Sequence, residues 1–121
     1  MGNWQSDSIQ LIDNTEIDEP ILFETIGEVV SSKYLDIDKG EVYQIYLCEN
    51  DVILKGIKKY RIIYQKINSW VTYNSNMFGF YIHDDKSKQS RELIFDVLDP
   101  IELSDNLRNV THNLVDYYKK I

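Results

Sequence analysis

A chain of 121 residues, 43% of them hydrophobic and 12% aromatic, has the size of one domain and enough apolar surface to offset the entropy of ordering its backbone, which excludes a disordered polypeptide. A formal net charge of -7 disfavours a nucleic-acid binder, because phosphate contacts supply most non-specific affinity for DNA and RNA. The single cysteine, Cys48, excludes an intramolecular disulfide and a cysteine metal cluster, and no apolar run is long enough to span a bilayer as a helix.

The first residues, Met1 to Asp7, carry no basic and apolar signal pattern, so the expected compartment is the cytoplasm. No Pro-rich or Gly/Ser-rich linker and no repeat divides the chain, and residues 1–121 read as a single domain.

Between Asp18 and Tyr34, Leu22, Ile26, Val29 and Val30 recur at helical spacing. Asp18 stands as an N-cap before Pro20, and Glu19 and Lys33 suit the two ends of a helix dipole, so this stretch is predicted to be a helix. From Tyr34 the period changes to two. Tyr34–Ile37 and Val42–Cys48 read as strands joined by a turn at Asp38-Lys39-Gly40, and Glu49-Asn50-Asp51 closes the second strand.

Further strands are predicted at Tyr60–Ile67, Trp70–Tyr73, Met77–His83 and around Leu93–Leu98. Gly79, between two phenylalanines, marks a bulge or a close backbone approach. The stripe Leu103, Leu107, Val110, Leu114, Tyr117 and Ile121 predicts a C-terminal helix that opens at Asp99-Pro100, with Ser104 as a competing start. The predicted fold class is α+β, an antiparallel sheet of about five or six strands packed against an N-terminal and a C-terminal helix.

Catalytic signatures are missing from this pattern, so no catalytic residue, metal ligand or cofactor is assigned and the chain reads as a non-enzyme. His83-Asp84-Asp85 is the most suggestive cluster, yet a strand-end surface histidine explains it more simply. Asp36-Ile37-Asp38-Lys39-Gly40 begins like a calcium loop but lacks the later glutamate. Cys48, in a predicted strand, reads as a buried inert thiol. Lys58, Lys59, Arg61 and Lys66 interleave with Tyr60 and Tyr64 as a single-strand nucleic-acid surface would, but a lysine-protected sheet edge accounts for the same residues.

Charge is unevenly distributed. Residues 1–51 hold twelve acids against two bases, residues 52–91 eight bases against two acids, and residues 92–121 six acids against three bases. An acidic surface of this kind steers basic partners toward it.

A small acidic chain without catalytic signatures, rich in tyrosine and with a composition suggestive of AT-rich codons, resembles in profile the bacterial toxin-immunity proteins. That resemblance implies a cognate protein toxin, a basic nuclease in many cases, whose active or substrate-binding site is covered. On this reading the partner surface comprises Glu16, Asp18, Glu19, Asp36 and Asp38, with Tyr43, Tyr46 and Trp70 as aromatic anchors. Neither nucleic acid nor membrane is an expected partner. The alternatives are an inhibitor that mimics nucleic acid, and a small enzyme or ligand-binding domain with a cleft near His83.

Overall fold

The computed structural model describes residues 8–12, 19–34, 36–73, 75–84, 88–111 and 115–119. In chain order they form β1 (Gln10–Ile12), β2 (Ile21–Ser32), β3 (Val42–Cys48), β4 (Asp51–Lys55), β5 (Lys59–Ile63), a 3-10 turn (Tyr64–Lys66), β6 (Ile67–Tyr73), β7 (Met77–Asp84), β8 (Gln89–Val97), α1 (Pro100–Thr111) and β9 (Val115–Lys119). The strands make one nine-stranded sheet in the order β1-β5-β4-β3-β2-β8-β7-β6-β9. Every neighbouring pair is antiparallel except the edge pair β6 and β9.

The sheet is two meanders sharing one strand. β2 pairs with β3 over Ile21–Glu28, continued by backbone hydrogen bonds of Val29 with Gly40 and Glu41, and with β8 over Gly27–Ser32, so Gly27, Glu28 and Val29 adjoin both halves. The register of β2 against β8 shifts between Val29 and Ser31, just past this handover, as at a β-bulge.

Alternate residues of both halves point into one core. Tyr43, Ile45 and Leu47 on β3, Val52 and Leu54 on β4, and Tyr60 and Ile62 on β5 meet Phe78, Phe80 and Ile82 on β7 and Leu93, Phe95 and Val97 on β8. The rings of Tyr43 and Phe95 touch edge to face across the halves at 6.4 Å, and Phe80 and Phe95 at 6.1 Å. Gly27 sits where this packing is tightest: a Cβ there would lie 3.0 Å from Val97 Cγ1 and 3.1 Å from Ile45 Cδ1 and Phe95 Cβ.

The core is closed at its ends by polar anchors. Leu103 and Leu107 of α1 are fully buried, and Ser104 between them accepts the Trp70 indole N–H at 2.8 Å. At the β2–β3 connection, the Tyr34 hydroxyl donates to the Arg91 carbonyl and the Tyr60 hydroxyl donates to the Asp36 carbonyl. Those bonds reach β8 on one side and β5 on the other, with Ile37 buried between them.

The expected architecture is corrected in three respects. The stretch predicted as an N-terminal helix is β2. Its β-branched residues Ile21, Thr25, Ile26, Val29 and Val30 lose side-chain freedom in a helix and suit a strand, and Phe23, Thr25, Gly27 and Val29 face inward with period two. Leu22 and Ile26 imitate a helical stripe because this strand carries apolar residues on its solvent side as well.

The C-terminal helix ends at Thr111, and the chain then supplies β9, parallel to β6, so Tyr117 belongs to a strand. The strand count also rises, because β4 and β1 were not anticipated and the run predicted at Tyr60–Ile67 is broken by a 3-10 turn. The predicted limits of β3 agree with the structure. So does the opening of α1, where Asp99 Oδ1 accepts the Glu102 N–H at 3.1 Å. Gly79 lies in regular pairing with Val71 and Ile94, and a Cβ there would meet the Glu92 and Ile94 side chains at ordinary contact distances, so it marks neither a bulge nor a close backbone approach.

Candidate functional site

The solvent side of the sheet follows from the same period-two rule. Residues between the inward ones point outward: Lys59 and Arg61 on β5, Asp51, Ile53 and Lys55 on β4, Val42, Gln44 and Tyr46 on β3, Glu24, Ile26 and Glu28 on β2, and Asp96 on β8. Charge therefore changes sign across this face. Lys55 and Arg61 stand on β4 and β5 with Lys59 and Asp51 buried beside them, β3 carries no charge, and the exposed acids Glu24, Glu28 and Asp96 stand on β2 and β8.

Glu28 and Asp96 are direct cross-strand partners, and both are exposed. Beside them Ile26 and Val42 expose about half of their surface, at 44% and 51%. Carboxylates interleaved with exposed branched aliphatic residues give a face that offers both electrostatic steering and apolar area to a protein partner.

Among the described residues, those proposed from the sequence do not gather on one surface. Glu16 and Asp18 lie outside the described residues. Glu19 lies two residues before β2 and accepts the Asn50 N–H at 3.0 Å. Asp36 and Asp38 are exposed in the connection beyond the far end of β2. The length of β2 thus separates Glu19 from the other two.

The aromatic anchors are corrected more sharply. Trp70 is completely buried and bonded to Ser104, and Tyr43 is a core ring whose hydroxyl donates to Glu41, so neither offers a surface. Tyr46 does point to the solvent side but retains little exposure, packed with Cys48 and Ile53 in a small outer cluster that Ile12 flanks. Tyr60 and Tyr64 face the core as well, which removes the stacking platform that their lysine neighbours suggested. His83 is a half-exposed residue of β7, and its carbonyl accepts the Ser8 hydroxyl.

The sequence reading missed Glu24, Glu28 and Asp96 as a group. The signal was present in the alternation Glu24, Ile26, Glu28, which has period two, but it was absorbed into a helical assignment. Asp96 is brought in only by the pairing of β2 with β8.

A second polar cluster forms at the β3–β4 turn. The two turn residues Glu49 and Asn50 place Cys48 and Asp51 side by side on the outer face, and Glu19 joins them. Arg61 Nε lies 3.0 Å from Asp51 Oδ2. Burial and the neighbouring Glu19 carboxylate push Asp51 up to about 6, with Arg61 opposing. Burial, Glu19 and Asp51 push the Cys48 thiol up to about 11. A groove of about 660 Å³, lined in part by Asn50, Ile63, Tyr64 and Val110, opens beside the same turn. His83 does not line it.

No protein-family model matches this chain, and no curated protein sequence matches it. Among the described residues, no helix is long and apolar enough to cross a membrane.

Proposed function

We propose that this chain is a protein-binding inhibitor whose acidic sheet face, built on β2 and β8, receives a basic protein domain, in the manner of an immunity protein covering the active or substrate-binding site of a cognate toxin. The observation that carries this reading is the exposed Glu28–Asp96 pair. Like charges placed directly opposite on neighbouring strands oppose the pairing they sit on, so their presence at the centre of a sheet is explained by a cationic surface that settles over them. Ile26 and Val42 supply the apolar contact that converts attraction into a lasting complex.

The face differs from the one the sequence suggested, since Asp36 and Asp38 stand apart from it. This difference makes the reading testable. Capture of host proteins on the tagged chain should retain one basic protein in stoichiometric amount at low salt. Reversing Glu24, Glu28 and Asp96 to lysine should release it, whereas reversing Asp36 and Asp38 should leave it bound. Retention through the first set of reversals, or no basic protein at all, overturns the proposal. Displacement of the partner by duplex DNA would identify a surface that mimics nucleic acid.

A further inference from the structure

We propose that Glu19, Cys48 and Asp51 form a zinc site at the turn joining β3 to β4. One ligand atom from each residue lies within 4.8 Å of the others. A tetrahedral zinc with bonds of 2.0 to 2.3 Å sets its ligand atoms roughly 3.3 to 3.8 Å apart, so side-chain closure of about an ångström suffices. The backbone already aims two of the three. Cys48 and Asp51 flank a two-residue turn on one face of a hairpin, and the Asn50 N–H holds the Glu19 carboxylate over that turn.

An independent observation on Asp51 points to a cation. The residue is only 4% exposed, Arg61 engages Oδ2, and Oδ1 is buried without a hydrogen-bond donor. Its neighbour Glu19 is another acceptor, so a favourable contact between the two carboxyl groups requires a proton or a metal ion between them.

Charge and ligand chemistry select the metal. A thiolate disfavours magnesium and calcium, which prefer oxygen, and suits zinc. Ionised Glu19, Asp51 and Cys48 carry three negative charges, and Arg61 with a divalent ion carries three positive ones, so the loaded site is neutral. Glu19 remains partly exposed, which leaves a solvent approach and room for water as fourth ligand. The sequence concealed this set because Glu19 is distant from Cys48 along the chain and no histidine or second cysteine accompanies it.

The test uses the purified full chain stripped with chelator. Titration with zinc should saturate at one ion per chain, and cobalt at the same site should produce a thiolate charge-transfer absorption. Cys48→Ser should abolish that absorption, and Asp51→Asn should weaken zinc binding by more than roughly tenfold, whereas His83→Ala should change neither. Zinc should also raise the urea midpoint of the unaltered chain, a readout that needs no variant to fold. Absence of stoichiometric zinc binding, cobalt binding without thiolate absorption, or a urea midpoint indifferent to zinc overturns the assignment.

Discussion

Glu28 of β2 and Asp96 of β8 stand directly opposite one another, both exposed, on the strand pair that joins the two halves of the sheet. Repulsion between them works against that pairing. Glu28→Lys turns it into an attraction, and the fold should gain roughly 0.2 to 1 kcal/mol, the range measured for cross-strand pairs. The gain should appear as a higher urea midpoint at low ionic strength and shrink as salt screens the pair. The same variant should bind a basic partner less well, so stability and binding move in opposite directions.

Trp70 and Ser104 tie the sheet to its helix. In Ser104→Ala the indole N–H is left buried without this acceptor, which should cost about 1 to 3 kcal/mol. Trp70→Ala should cost more, about 3 to 5 kcal/mol, because it also opens a large cavity in the core. Urea unfolding of both variants checks the order.

Gly27→Ala tests the tight junction between the halves. The added methyl group meets Val97, Ile45 and Phe95 at 3.0 to 3.1 Å, all of them in the close-packed core. Relief requires the Val97 and Ile45 methyl groups and Phe95 Cβ to shift inside the packed core, and the variant should lose about 1 to 3 kcal/mol. A loss confined to Gly27→Ala, with Ile26→Ala nearly neutral on the exposed side, would mark packing as the cause.

Asp51 gives the metal-free fold a pH dependence. Its carboxyl is raised from 3.8 to about 6 on folding, first by burial and then by Glu19. The folded state therefore holds the proton more tightly than the unfolded state. That contribution is fully present below 3.8 and is lost as pH rises through about 6. In the presence of chelator, the urea midpoint of the unaltered chain should fall across this window relative to that of Asp51→Asn. Parallel pH profiles for the two proteins would refute the assignment.

Much of the strand pattern was readable from period and turn chemistry. β3 and β7 each turn every second residue into the core, Tyr43, Ile45 and Leu47 on one and Phe78, Phe80 and Ile82 on the other, and the Asp99 cap announces α1. β2 was not readable, because Leu22 and Ile26 place apolar residues on its open side and complete a helical stripe by coincidence. The end of α1 was hidden for a related reason, since Tyr117 continues the stripe of Leu103 and Leu107 into the segment that forms β9, while Leu114 and Ile121 lie outside the described residues.

Site residues were harder to read. Aromatic residues on strands are equally suited to a core or an interface, and a sheet folded over on itself claims Tyr43, Tyr60 and Trp70 for its interior. The acidic face needs Asp96, and the polar turn cluster needs Glu19 beside Asp51. Both juxtapositions depend on the tertiary fold and leave no local trace.

The strand shared by the two meanders also governs how the chain reaches its native state. Each meander can assemble from neighbouring hairpins, whereas joining Gly27 to Val97 closes a long stretch of chain. Docking of β8 onto β2 is thus the step expected to limit the folding rate, and mutations at that seam should slow folding where equal damage inside either meander speeds unfolding. A cut at the 3-10 turn after β5 would divide the protein into two fragments, each ending its sheet in a complementary open strand, and mixing them should restore the fold by complementation.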